Sequence, residues 1–153
     1  MTDHSAQTKA ERLISDFGKS IGIESLAFDE FGCCMLAFDD DIIINIAQEK
    51  ANQRILFFAY VGSVVAAVTP YRTLLKANFY WRATGGATLS LDQDDGAICL
   101  TKPFGEEDLT PQELTAELEK FISTVEKWRD WSKEGQDSQE TAPQDKEPIG
   151  TFV

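Results

Sequence analysis

The sequence predicts an α+β fold, a twisted antiparallel sheet with three helices in the order α-β-β-β-α-β-β-α, assembled as a homodimer. Three observations lead there. Three stretches repeat their apolar residues with helical period, and the runs between them alternate or stay apolar over strand lengths. Those runs are joined by short polar breaks, as antiparallel neighbours allow. The middle helix carries more apolar surface than one sheet can cover.

Taking the elements in order, Ala10, Leu13, Ile14, Phe17 and Ile21 follow the i, i+3, i+4, i+7 pattern and Gly22 follows them, so a first helix is expected from about Thr8 to Ser20. Three strands come next: Cys33 to Phe38, Ile42 to Ala47 and Arg54 to Val61, separated by Asp39 to Asp41 and by Glu49 to Gln53. Pro70 sits where a central helix can begin. Leu74, Leu75, Asn78, Phe79 and Trp81 recur at helical spacing, and Gly85 and Gly86 permit the left-handed turn that ends a helix. Ala87 to Asp92 then alternates. Asp95-Gly96 is the dipeptide that accepts positive φ between antiparallel strands, so Ala97 to Thr101 should pair back, with Lys102 to Asp108 as a loop. Thr110-Pro111-Gln112-Glu113 reads as a capping box with proline at the first helical position, opening a third helix from Pro111 to about Lys133. Its stripe is Leu114, Leu118, Phe121, Ile122, Val125 and Trp128; Trp131 lies off that stripe and could be exposed.

Two excesses of apolar surface point to a partner. Around the central helix, apolar side chains from Ala77 through Trp81, Leu74 and Tyr71 to Leu75 and Phe79 cover roughly 200°, about twice what one sheet needs. A second subunit would cover the rest. In the third strand, Leu56, Phe58 and Tyr60 stand opposite Ile55, Phe57 and Ala59, so both faces are apolar, whereas a sheet with one wet face would alternate. Three helices can hardly cover both faces of such a sheet, which leaves apolar surface for another protein.

Charge and chemistry narrow the function. With 26 acidic against 14 basic residues the net charge is -12, which opposes phosphate backbones and anionic lipid. Without a signal-peptide core or a membrane-length apolar run, a cytoplasmic protein is expected. Cys33, Cys34 and Cys99 are an odd set and read as buried, reduced thiols. A triad, a Cys-His pair or a multi-histidine metal site would all need His4, the one histidine, in an amino terminus that is expected to be frayed. Gly85-Gly86-Ala87 follows a helix rather than a strand, the wrong order for a nucleotide loop, and Asp39-Asp40-Asp41 lacks the further ligands of a calcium loop. No cofactor or metal is expected. Residues 1–133 form one domain, and residues 134–153, acidic and poor in apolar groups, should be a disordered tail.

The order of elements, together with ERLISDFGKSIGIESLAFDEFGCCMLAFDDD and LLKANFYWRATGGATLSLDQDDGAICL, resembles the class I chaperones of bacterial type III secretion, the Tir-chaperone family, over about Ala10 to Trp131. The resemblance implies a homodimer without catalytic activity that binds the amino-terminal segment of a secreted effector, keeps it extended and secretion-competent, and delivers it to the export apparatus, with the secretion ATPase as a further possible partner. It implies a dimer interface at Leu74, Leu75, Phe79, Trp81 and Leu89, and an effector-binding surface at Leu13, Phe17, Phe28, Met35, Phe38 and Ile44, partly by strand addition. The acidic tail departs from the family pattern. Two other readings compete: a related α+β dimer that binds some other protein, and a small enzyme using carboxylates or Cys99.

Overall fold

Helix and strand signals place eight main elements in a computed structural model that describes residues 6–39, 41–64, 68–94 and 96–134. His4 and the tail beyond residue 134 lie outside the described residues. The elements are α1 (Lys9–Ser20), β1 (Cys33–Phe38), β2 (Ile42–Glu49), β3 (Arg54–Ser63), α2 (Val68–Ala77), β4 (Thr88–Leu91), β5 (Ala97–Gly105) and α3 (Pro111–Lys133). This is the order read from the sequence. Both long helices begin at capping boxes: Thr8 Oγ1 accepts from the Glu11 N–H at 3.2 Å while Glu11 accepts from the Thr8 N–H at 2.7 Å, and Thr110 and Glu113 repeat the exchange.

The strands form one antiparallel sheet in the order β1-β2-β3-β5-β4. Leu36 pairs with Ile44, Ile46 with Phe57, Ala59 with Leu100, and Leu89 with Leu100. Side chains alternate across a sheet, so these residues share one face. That face is the core side: Phe57 meets Phe121 of α3 at 5.5 Å between ring centroids, and α3 lies across β3 and β2 with α1 beside it. Phe17, Ile44, Ile46, Ile55, Phe57, Leu100 and Trp128 are fully enclosed. The other face keeps Met35, Ile43 and Tyr60 exposed.

Three expectations are corrected. The segment from Lys102 is a strand as far as Gly105, because Leu56 pairs with Pro103 and Arg54 with Gly105 along β3. Secondly, α2 ends at Ala77 instead of running through Trp81; Phe79–Trp81 is a 3-10 turn in which Tyr80 and Trp81 take left-handed φ of 53° and 54°. Such backbone costs about 1 to 3 kcal/mol per residue and has to be held by its surroundings. Here the Asn78 carboxamide accepts from the Leu89 N–H at 2.8 Å and donates to the Leu89 carbonyl at 3.0 Å, while Trp81 Nε1 donates to Thr88 Oγ1 at 3.2 Å. Thirdly, Trp131 is buried, edge-on to Trp128 at 5.2 Å. The second half of α3 is covered on a second flank by the turn after α2, where Trp128 Nε1 donates to the Ala83 carbonyl and a Cβ on Gly85 would stand 2.8 Å from Thr124 Oγ1. That flank widens the buried stripe beyond what periodicity along α3 indicates.

Candidate protein-binding surfaces

Two exposed apolar surfaces stand out, one around the end of α2 and one along the free edge of β1. The first is the knuckle made by the left-handed turn. Leu75 and Phe79 are each 72% exposed, and Tyr80 and Trp81 are about half exposed, with Phe79 packed edge-on against Tyr80 at 4.5 Å. Val68 and Tyr71 extend the patch along α2. Large apolar side chains clustered at such exposure are uncommon on a lone protomer. Leu74 and Leu89, expected in the same interface, point the other way and belong to the core. They support the knuckle from beneath rather than meeting a partner directly. Tyr80 was not among the expected interface residues; its signal was the unbroken aromatic run Phe79-Tyr80-Trp81.

The β1 surface is built on a backbone edge. Asp29 turns the chain into the strand: its carboxylate accepts from the Phe31 and Cys33 N–H groups at 2.9 Å each, and its own N–H donates to the Cys33 carbonyl at 2.8 Å. The polar backbone groups of Cys33 therefore point off the sheet, while the Gly32 carbonyl accepts from Gln48 of β2. In an antiparallel strand the direction reverses at each residue, so the N–H and C=O of Met35 and Ala37 also point outwards, where no strand of the described residues lies. Side chains frame this edge. Met35 is 69% and Phe31 81% exposed, and Phe28 and Phe38 are half-buried against the core. Leu13, Phe17 and Ile44, expected to face an effector, are buried and belong to the core instead of the surface. Phe31 was missed by periodicity because it sits in a turn; an aromatic side chain within Asp29–Gly32 was the available signal.

The opposite edge of the sheet is blunted. On β4 the Leu89 backbone is taken by Asn78, and where β5 runs beyond β4 the outward-facing residue is Pro103, which has no N–H to offer. The two edges differ in what they can accept. An added strand finds free donors and acceptors at β1.

Electrostatics hold the frame rather than prepare chemistry. Arg129 of α3 pairs through both guanidinium nitrogens with Asp41 beside the β1–β2 turn, and these hydrogen bonds hold the Asp41 carboxyl below its ordinary range. Burial works against ionisation of Glu117, but Lys102 at 2.9 Å and Lys120 at 3.1 Å outweigh it and lower its pKa. The thiols are the reverse case. Burial pushes Cys34 up to about 11 and raises Cys99, so both stay protonated at neutral pH, which is the inert form. Among the described residues no group of three or more His, Cys, Asp or Glu side chains is placed to hold a metal, and no helix is long and apolar enough to cross a membrane.

Comparison with known proteins gives a consistent result. The model of the Tir chaperone protein (CesT) family matches residues 12–129. A Tir chaperone of Escherichia coli is 28% identical over 121 residues, covering 78% of this chain and 76% of the relative. The transcriptional anti-antiactivator ExsC of Pseudomonas aeruginosa is 26% identical over 123 residues, covering 80% and 84%. Among solved structures, the ExsC-ExsE complex superposes with a TM-score of 0.71 at 26% identity, over 81% of this chain and 93% of that one. The HopA1-SchA chaperone-effector complex gives the same TM-score at 22% identity, over 80% and 94%.

Proposed function

Because this chain belongs to the Tir chaperone (CesT) family, we propose that it is a homodimeric chaperone which binds the amino-terminal segment of a type III effector in the bacterial cytoplasm. It keeps that segment extended and hands it to the secretion apparatus, and it performs no chemistry. The open edge of β1 carries the reading. Outward N–H and C=O groups at Met35 and Ala37, flanked by exposed Phe31 and Met35 and by half-buried Phe28 and Phe38, suit an extended peptide that pairs by backbone and seats apolar side chains on either side. Two structural relatives were solved with a protein partner, the ExsC-ExsE and HopA1-SchA complexes, which supports a protein cargo here. The knuckle at Leu75, Phe79, Tyr80 and Trp81 serves the dimer, where a second copy covers aromatic surface the protomer leaves bare.

A second reading is favoured by the relative that is a transcriptional anti-antiactivator: the same edge would then capture a regulatory protein rather than a secreted one. Identification of the protein that co-purifies from the native host separates the two.

The edge itself is tested by Ala37→Pro. The lost N–H points away from β2, so the sheet keeps its pairing, while an added strand loses a hydrogen bond and meets the ring. Titration calorimetry with an effector amino-terminal peptide should show affinity reduced by about 1 to 3 kcal/mol, roughly five- to more than hundred-fold, with the dimer intact. Unchanged affinity in the folded variant would remove β1 as the docking edge.

A further inference from the structure

Not all of the β1 edge is free to pair. Cys33, Met35 and Ala37, each two residues from the next, turn their N–H and C=O away from β2, so the strand has three outward positions. The first is already filled from within the chain. Asp29 stands beside Cys33 as a residue of a neighbouring strand would: its N–H donates to the Cys33 carbonyl at 2.8 Å, and its Oδ1 accepts from the Cys33 N–H at 2.9 Å. The same oxygen accepts from the Phe31 N–H at 2.9 Å, and the Asp29 carbonyl accepts from the Gly32 N–H at 3.1 Å, which ties the turn into one unit. At the far end the strand stops at Phe38, and Asp39 takes a left-handed φ of 46°.

The turn is held in place from behind. Leu26 and Phe28 pack against the core, and the Ile23 N–H donates to the Gly18 carbonyl at 2.8 Å. A Cβ on Gly18 would stand 2.6 Å from both the Ile23 carbonyl oxygen and the Leu26 Cβ, so this stretch lies directly on α1. The chain therefore meets the edge at Asp29 and nowhere before it. Among the described residues no backbone group reaches Met35 or Ala37 from the side away from β2.

We propose that Asp29 sets the length of the docking edge, filling the pairing position at Cys33 and confining a cargo strand to Met35 and Ala37. This rests on the reading of β1 as the cargo edge. Two positions set two residues apart leave about 7 Å of strand and at most four backbone hydrogen bonds. Backbone pairing is nearly blind to sequence, so a short edge holds any passing extended chain less firmly, and more of the selection falls to side-chain contacts. Those contacts stand at the stop itself. Phe31, 81% exposed, belongs to the Asp29 turn, and Met35, 69% exposed, is the first free position after it. A longer cargo segment has to leave the sheet at Asp29, and it does so beside Phe31.

Amide hydrogen exchange, followed residue by residue by NMR, reads the three positions separately. It is measured on the free full-length chain and on its complex with the protein it captures from the native host, for the parent, Asp29→Ala and Asp29→Asn. In the free parent the Cys33 amide should exchange at least about tenfold more slowly than those of Met35 and Ala37, the scale of one hydrogen bond to a charged acceptor. In the complex Met35 and Ala37 should slow by a similar factor while Cys33 stays as it was. Asp29→Ala removes the acceptor, so Cys33 should exchange quickly in the free chain and become protected only with cargo bound. Asp29→Asn keeps an oxygen at that point and should restore the parent pattern. A parent Cys33 amide as fast as Met35 in the free chain, or slowed along with Met35 and Ala37 in the complex, would overturn the stop and leave the edge standing. So would a Cys33 amide in Asp29→Ala that stays fast in the complex, since cargo would then end short of it without Asp29. Met35 and Ala37 amides unchanged by cargo would overturn the edge and the stop together.

Discussion

Truncating Phe79 should separate dimerisation from folding. In the protomer Phe79 is 72% exposed and touches little beyond the Tyr80 ring, so Phe79→Ala removes almost nothing from the folded chain. At a dimer contact the same side chain goes from that exposure to burial. Full burial of a phenylalanine is worth up to about 3 kcal/mol, so the exposed share corresponds to about 2 kcal/mol per protomer. A two-fold interface uses the residue twice, for about 4 kcal/mol per dimer, on the order of a thousand-fold in the dissociation constant. Sedimentation equilibrium over a range of concentrations measures that constant, and far-UV circular dichroism checks that the variant is folded. Leu74→Ala is the internal contrast. Its side chain is 5% exposed, so truncation should destabilise the protomer itself by about 2 to 5 kcal/mol. A folded Phe79→Ala variant whose dimer constant stays within threefold of the parent would place the interface elsewhere and refute the argument from exposed aromatic surface.

Two further outcomes follow from the geometry. Asn78→Ala removes both hydrogen bonds to the Leu89 backbone, so the Leu89 amide should exchange with solvent much faster and stability should fall by about 1 to 3 kcal/mol, as read by urea unfolding. Glu117 has a folded pKa below its ordinary value, so its contribution is complete above the unfolded carboxylate range and is lost as pH falls through the lowered one. The stability difference between parent and Glu117→Gln should accordingly be largest near neutrality and shrink towards pH 3, measured by urea unfolding at each pH.

Much of the fold was legible because the signals were local. Thr8 with Glu11 and Thr110 with Glu113 announce helix starts from within four residues, and alternation in Ile42 to Ile46 fixes which side of β2 is buried. The site was legible only in part. Family resemblance and apolar excess pointed to α1, β1 and the end of α2, and the residues named there include Leu13, Phe17 and Ile44, which the structure encloses. An apolar residue has the same identity whether it faces a core or a partner. Met35 and Leu36 are neighbours of similar hydrophobicity, yet one is exposed and the other buried, because the pleat turns them to opposite faces and α3 covers only one.

By itself the sequence determined the element order, the caps and the acidity, since each depends on residue type and on neighbours a few positions away. Tertiary structure alone decided that β5 rather than β4 joins β3, that the Asn78 side chain seals the β4 edge at Leu89, and that Trp131 is buried. It also left one sheet edge open at Met35 and Ala37 and closed the other at Leu89 and Pro103. The physical reason is that a backbone donor is satisfied or left free by what lies across from it. That depends on residues far away in the chain, and no local pattern of side chains encodes it.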